Sequence, residues 1–543
     1  MKKNLFKILS MGIVSTSLLT SCNVLDVEPQ DSYTEDVIFQ DEKLTEAYVT
    51  MNYTRPRNGW SRNSLRFCSD EAMENFNWSS CWTINTGGMT PDQLGPLDIW
   101  ATYYSYIKNC NIFFSNLDNL NSISQDKRDI LIGEATFFRA YYYMELVNNY
   151  GGVPLITRLF ELDDPEMMVE RNSYEECVDF IVSEFSKAAE LLPERFSGAD
   201  FGRVTKGAAL AMKGRMLLYA ASPLWNPNDD TKKWEAAADA AKAVIDLGIY
   251  SLDSDYKGLF LNPESPEIIF QRLYNSEFGE YYDWYNSPNG WGGYSCTCVL
   301  QEMVDSYEME DGSMPDPSIY STATSDPWAG RDPRLYASVV CDGQKFRERE
   351  VEFWVSADGN SGGQDSEYGR DAWNYAKTHY TIRKFMDESL TNSWSDKGSQ
   401  PWIYCRLAEV YLNYAEALFH LGDEENARKY VNAVRLRARG GKENILPDIT
   451  ASGDELLAKI QHERKVELAF EEHRFYDVRR WKIGETTDSG EFHGIRITLN
   501  QDGTKRYEIF KVQDRLFKQA DYLLPIPNYE RRKNDLLVQN PGY

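Results

Sequence analysis

The chain has 543 residues, of which 42% are hydrophobic and 13% aromatic, and it carries a formal charge of −26. Such acidity repels a phosphate backbone, and no basic patch offsets it, so nucleic acid is excluded as a partner. At this length a core can be buried without disulfide staples, and past residue 21 no run approaches the roughly 20 apolar residues of a membrane-spanning helix.

Lys2, Lys3 and Lys7 precede an apolar run from Ile8 to Leu19. This is the order of a secretory signal, and the run is too short to span a bilayer as a stable helix. Leu19, Thr20 and Ser21 lead into Cys22, which resembles a bacterial lipobox, where cleavage frees the Cys22 amine and the thiol takes up lipid. Residues 1–21 are therefore expected to be a lipoprotein signal peptide and 22–32 a lipidated tether, with lipid on Cys22 the only membrane contact. A chance cysteine behind a signal core is the plainer alternative. Removing 1–21 takes away three lysines and no acid, so the charge moves from −26 to −29. Among the other eight cysteines there is no C-x-x-C pair, and Cys296 and Cys298 stand too close for a zinc knuckle. Mostly free, buried thiols are expected, with pairing of Cys68 and Cys81 left open.

Tyr33 to Tyr53 has helical spacing, and Tyr103, Ile107, Cys110, Phe113, Phe114 and Leu117 form a core-facing stripe. Gln125 to Tyr150 reads as a long amphipathic helix stopped by Gly151, Gly152 and Pro154, and Tyr174 to Leu192 as another halted by Pro193. Thr205 can cap a helix rich in small residues (Gly207, Ala208, Ala209, Ala211, Gly214), which would let a partner at Trp234 to Leu247 approach closely. Residues 255–400 lack sustained helical period and are dense in Gly, Pro, Asp, Asn, Trp and Tyr, so long loops with short strands are expected there. Arg406 to Leu421 and Glu424 to Arg439 flank a Gly422-Asp423 turn, and their small and aromatic residues sit much as in tetratricopeptide hairpins. The expected plan is a mainly α domain over 33–543, with a helical scaffold at 33–250 and 401–543 and a loop-rich face at 255–400.

The segment YYDWYNSPNGWGGY (281–294) holds six aromatics in fourteen residues. Flat rings give the C–H faces of a pyranose an apolar platform, and nearby amides can bond its hydroxyls. Gly290, Gly292 and Gly293 would permit a sharp turn or a close approach to ligand. The competing reading for any one ring is that it caps a core left open by the helices. From this segment Trp284, Trp291 and Tyr294 are the candidate ligand residues. A second cluster supplies Asn77, Trp78, Trp82 and Asn85, and Trp328 in SDPWAGRDPR (325–334) is a third loop tryptophan. Trp100 opens a helix, so packing accounts for it.

Glu463, Glu467 and Glu471 recur on one helical stripe in ERKVELAFEEHRFYDVRRW (463–481). A glycosidase places its two carboxyls on opposite sides of a cleft, which one helix edge does not do easily. Interleaved with Arg464, Arg474, Arg479 and Arg480, these acids read as a structural ion-pair network. The five histidines lack metal-ligand spacing, MEDGSMPD (309–316) lacks the ligand ladder of an EF-hand, and no P-loop, dinucleotide or G-x-S-x-G motif is present. No cofactor is called for, no catalytic or metal residues are assigned, and a structural calcium in the acidic loops is conceivable but not specified.

Several stretches, in order from Cys22 to the C-terminus, resemble the SusD/RagB family of outer-membrane nutrient-binding lipoproteins. They are the lipobox, GEATFFRAYYYMELVNNYGGVPL (133–155), GRVTKGAALAMKGRMLLYAASPLW (202–225), GRDPRL (330–335), RLAEVYLNYAEAL (406–418), the 463–481 motif, and LLPIP through QNPGY. The resemblance implies a SusD-like helical fold with tetratricopeptide-like hairpins. It also implies a non-catalytic protein at the cell surface that delivers oligosaccharides to a SusC-like TonB-dependent transporter. Arg139, Thr205, Glu409 and Arg474 would then be structural, and the ligand residues would lie on loops that vary between members. Trp291 lies near the family-like QEMVDSYEMEDG (301–312) and leans toward scaffold. Two other functions compete: a secreted glycosidase using loop carboxylates such as Asp283 or Asp305, and an adaptor that binds only protein. Peptide cargo also stays open.

Overall fold

The computed structural model describes residues 33–543 apart from 61–63, 162, 165, 323–325 and 391–394. The signal peptide, the tether and lipidation at Cys22 lie outside the described residues. Helix α1 (Glu42–Thr50) starts behind Asp41, whose carboxylate accepts from the Leu44 amide. After it come strand β1 (Ala72–Glu74), the short helix α2 (Ser80–Asn85) and α3 (Trp100–Ser115), which buries Trp100, Tyr103, Ile107, Cys110 and Phe113. Helix α4 (Gln125–Tyr150) is not amphipathic in its later part: from Gly133 to Val147 every residue is buried. It is flanked by α3 and by α5 (Tyr174–Leu191), while Phe137 and Tyr141 meet Phe270 and Tyr404 across another face. A helix enclosed on all sides has no solvent face to leave polar.

Helix α6 (Lys206–Ala221) is capped by Thr205, which accepts from the Ala208 amide, and it packs on α7 (Thr231–Asp246). Its small residues allow the close approach: a Cβ on Gly214 would already be in contact with Ala240 and Ala241 of α7 at 3.6–3.7 Å, and one on Gly207 would stand 2.1 Å from the hydroxyl of Tyr250 just beyond α7. Strand β2 (Ile268–Arg272) and β3 (Thr297–Val299) lie in the loop-rich stretch, where the other elements are short helices, 3₁₀ turns and two-residue strands. Strand β4 (Trp402–Arg406) leads into α8 (Leu407–His420), followed by α9 (Glu424–Ala438), α10 (Gly453–Glu467) and α11 (His473–Arg480). Helix α8 packs on α7, α9 and α10, so the layer begun by α3 runs without a break to the C-terminal helices.

The expected helical scaffold over 401–543 is corrected at its end. Residues 490–515 form an antiparallel hairpin, β5 (Gly490–Leu499) and β6 (Lys505–Arg515), with Leu499 opposite Lys505 and a bulge at Phe492 and His493. The hairpin buries Phe492, Ile495 and Ile497, and Gly503 turns it at φ 84°. Elsewhere β1 pairs antiparallel with β3, Ala72 opposite Val299, and β2 with β4, Arg272 opposite Trp402.

Most charges of the 463–481 motif are buried and paired, while Arg479 lies over the rings of Phe475 and Phe517. Arg406 donates to Glu267 (2.6 Å), Glu467 (2.6 Å) and Glu471 (2.7 Å). Arg334 reaches Glu463 at 2.6 Å and Glu467 at 3.0 Å, and Arg437 also bonds Glu467. Arg139 pairs with Glu184, Arg215 with Glu409, and Arg480 with Glu416. These pairs join distant parts of the chain. Asp70 receives Arg474 and Lys465, Glu71 accepts from the Phe470 amide, and Glu472 accepts from Ser64 and the Leu65 amide. All eight described cysteines are buried.

Paired and unpaired buried acids titrate in opposite directions. Burial alone would raise Glu467 and Glu409, but Arg437, Arg406 and Arg334 around the first and Arg215 with His473 beside the second hold both well below the carboxylate range. Burial pushes Glu71 up to about 7 and Asp283 up to about 6, and burial plus the Asp70 charge raises Asp488 to about 7. Raised acids contribute full stability below their unfolded pKa near 4 and lose it as pH rises through 6 to 7; lowered acids contribute above about 4.5 and lose it as pH falls. The thermal midpoint is therefore expected to peak between roughly pH 4.5 and 6 and to fall by pH 8. Glu71→Gln with Asp488→Asn should flatten that fall in a melting series across pH, and an equally steep fall in the variant would remove the assignment.

Candidate functional site

Where β1 ends, Asn75 is buried and holds three segments together. Its amide nitrogen donates to the carbonyls of Tyr294 (3.1 Å), Asn374 (3.3 Å) and Tyr375 (3.1 Å), and its oxygen accepts from the Lys377 amide (3.3 Å) and the Cys298 thiol (3.2 Å). Around that knot the segments 76–78, 281–294 and 373–375 bring their rings together. Trp78 is 72% exposed and stacks at 4.7 Å on Phe76, which is buried beneath it. Phe76 lies 5.8 Å from Trp373, itself 58% exposed, and Trp373 lies 5.6 Å from Tyr294. Tyr294 continues to Trp284 at 5.0 Å, and Trp284 to Tyr281 at 5.9 Å and Tyr285 at 5.6 Å, these four being half-buried. The result is one continuous aromatic face whose outer rings stand in solvent.

The backbone beneath the face is tightly folded. Trp284 Nε1 donates to Gly292 O, the Tyr294 amide to Trp284 O, and the Cys296 amide to Tyr285 O. Gly292 sits in the left-handed region at φ 79°, and a Cβ on Gly293 would stand 2.0 Å from Ser287 O. Those glycines serve a close approach of the chain to itself.

The sequence candidates divide accordingly. Trp78, Trp284 and Tyr294 belong to the face, with Asn77 exposed beside Trp78. Trp82 is half-buried, its indole nitrogen donating to Glu74 O. Asn85 is corrected: it is buried, donates to Phe67 O at 2.8 Å and accepts the Leu516 amide on its own carbonyl, so it fastens α2 to the core. Trp328 is also corrected. It is 1% exposed, donates to the Tyr380 hydroxyl and meets the rings of Tyr380 and Tyr507 edge-on. Trp291 is half-buried, and its indole is occupied: the Arg349 guanidinium lies 3.5 Å from the ring centroid and Nε1 bonds Glu348.

Trp373 was not among the candidates. It stands alone in GRDAWNYAK (369–377) within the loop-rich stretch, whereas Trp78 stands in a cluster with Asn77, Trp82 and Asn85. Asn75 offered no signal, because a buried organising amide looks like any loop asparagine.

The carboxylates considered for bond cleavage are held elsewhere. Asp283 is buried, accepting from Gln400 and the Asp387 amide, and Asp305 accepts from Gln301 and the Tyr320 hydroxyl. Among the described residues no group of three or more His, Cys, Asp or Glu is arranged to hold a metal ion, and no helix is long and apolar enough to cross a membrane.

Two family models match this chain: the SusD family over residues 266–543, and a family described as starch-binding and associating with the outer membrane over 23–218. The chain is 28% identical over 463 residues to SusD-like protein P2 of Formosa agariphila, covering 82% of this chain and 80% of that one. Among solved structures it is similar to a SusD-like protein from Bacteroides fragilis NCTC 9343, with 31% identity, a TM-score of 0.79, and 95% of this chain and 100% of the other covered. A SusD-like carbohydrate binding protein from the same organism matches at 25% identity and a TM-score of 0.78, covering 92% and 100%.

Proposed function

This chain belongs to the SusD family, and from that premise we propose that it is a surface glycan-binding lipoprotein that captures oligosaccharides and passes them to a SusC-like TonB-dependent transporter. The family is one of outer-membrane association and carbohydrate binding. Lipid on Cys22 would tether the body to the outer membrane, and the protein would bind without cleaving. The observation that carries the reading is the aromatic face from Trp78 to Trp284, where outer rings stay in water although indole burial is worth several times their present contacts. Apolar rings kept exposed in a connected row suit the C–H faces of successive sugar units. The burial of Asp283 and the engagement of half-buried Asp305 by Gln301 and the Tyr320 hydroxyl support the non-catalytic part.

A few stacked rings, after desolvation and ordering, give micromolar to millimolar affinity, which suits a protein that must hand its cargo on. The test is electrophoresis of residues 33–543 through gels containing individual polysaccharides, with a reducing-sugar assay on the same mixtures. Retardation by at least one glycan with no reducing ends released is expected. Release of reducing ends by pure protein would replace this reading with a glycosidase, and capture of the transporter without affinity for any glycan would replace it with an adaptor.

A further inference from the structure

Trp373, Tyr375 and Lys377 alternate with the buried Asn374 and Ala376, so all three keep part of their surface in solvent. Asn75 holds the Asn374 and Tyr375 carbonyls and the Lys377 amide, which fixes this segment as one piece beside the aromatic face. The Lys377 ammonium lies 3.6 Å from the centroid of the Tyr375 ring and has no hydrogen-bond or ion-pair partner among the described residues. Burial pulls that ammonium down, although Cys298 and Glu367 act to raise it. In a chain with 84 acids against 58 lysines and arginines, a cation half removed from water with no carboxylate in exchange calls for a function. A second cation stands nearby. Arg496 is on the exposed side of β5, 5.2 Å from the Phe510 ring; Phe510 lies 6.0 Å from His379, and His379 6.0 Å from Tyr375. Burial, Arg496 and Lys377 together push the His379 ring down to about 3, so the imidazole that links the two cations stays uncharged. The acids of this cluster are engaged with neither cation. Glu367 has Oε2 buried 3.8 Å from His379 Nε2, and Glu508, opposite Arg496 in the hairpin register, forms no ion pair with it among the described residues. Two cations without carboxylate partners therefore flank the Tyr375 end of the face.

Resting on the glycan-binding reading above, we propose that the sugar chain this face takes is anionic: Lys377, with Arg496 behind it, receives a carboxylate or sulfate-ester group while Trp373, Trp78 and Tyr294 take the faces of neighbouring units. An ammonium seated on a phenol ring is oriented before the ligand arrives, so little side-chain freedom is lost on binding. A carboxylate or sulfate brings the counter-charge and the strong acceptors that the protein itself withholds. A neutral sugar brings only hydroxyls and leaves the charge of the site uncompensated. The acidity that turns away a phosphate backbone belongs to the surface as a whole, and at physiological salt it is screened over about 8 Å. Over that distance Lys377 and Arg496 set the local sign, and two cations suffice for one charged sugar though not for a nucleic acid.

The test uses the full mature protein in detergent, the polysaccharide panel above, and two matched pairs: polygalacturonate with its methyl ester, and a sulfated galactan with its desulfated form. Affinity gels and calorimetric titration are expected to show at least one charged member bound about 10-fold more tightly than its neutral counterpart, the two pairs separating a carboxylate from a sulfate as the group received. Raising salt from about 0.05 M to about 0.5 M should remove most of that difference. Lys377→Gln is expected to lose the preference, charged and neutral members then binding alike, and Lys377→Arg to keep it, with a melting curve of each variant as the control for folding. Equal binding of charged and neutral members by the wild type, binding confined to neutral polysaccharides, or a preference kept by folded Lys377→Gln would overturn the proposal and leave the glycan reading standing. Failure of every polysaccharide to retard the protein would overturn both. Should Lys377→Gln not fold, the matched pairs on the wild type decide.

Discussion

Replacing Trp78 and Trp373 together with alanine is expected to weaken glycan binding about 30-fold while leaving the folded body intact. The size follows from two stacking contacts worth about 1 kcal/mol each, where 1.4 kcal/mol is tenfold in affinity. The fold should tolerate the change because both side chains stand largely in solvent, and exposed substitutions usually stay within about 0.5 kcal/mol. Calorimetric titration with the best polysaccharide, beside a melting curve, checks both halves. Undiminished affinity would move the site away from this face. Lost affinity together with a collapsed melting curve would make the two tryptophans structural.

Arg406→Ala carries the largest expected effect on stability. The guanidinium is buried and serves Glu267, Glu467 and Glu471 at once, with a further bond to Glu467 O at 2.8 Å. Removing it leaves three buried carboxylates short of one cation, with Arg437 still on Glu267 and Glu467, Arg334 on Glu467 and Lys384 on Glu471, which costs about 3–5 kcal/mol, a large share of a total near 5–15 kcal/mol. Little folded protein is expected at neutral pH. The loss should shrink as pH is lowered, because carboxylates released from Arg406 take up protons readily. Arg406→Lys keeps the charge but not the planar fork that spans several acids, so it should fall between wild type and alanine. Circular dichroism melts at pH 5 and pH 7.5 decide this. A variant within 1 kcal/mol of wild type at both would show that the network contributes little.

Much of the scaffold was legible from local pattern. The stripe on α3, the small residues of α6 and the Pro and Gly stops around α4 and α5 each act within a turn or two, and the helices lie where these signals put them. The 463–481 acids were legible for a similar reason: an i, i+4 row of Glu among Arg and aromatic residues has few uses other than ion pairs between packed elements. Exposure was not legible. Trp78 and Trp328 look alike in sequence, each in a polar loop, yet one stands in water and the other is enclosed by Tyr380 and Tyr507. What separates them is a partner far along the chain, and the hairpin β5–β6 that supplies Tyr507 had itself been assigned to helix. Local spacing describes which way a side chain points along its own element, and not what arrives to cover it.

The contacts that tie residues 64–71 to residues 465–474 set an order on events. A chain emerging from the ribosome presents Asp70 and Glu71 some four hundred residues before their partners exist. Until those partners arrive, the segment that will carry Trp78 has no settled place, and the early helices have no lock. The 64–71 segment thus takes its final place only after residues 465–474 have been made.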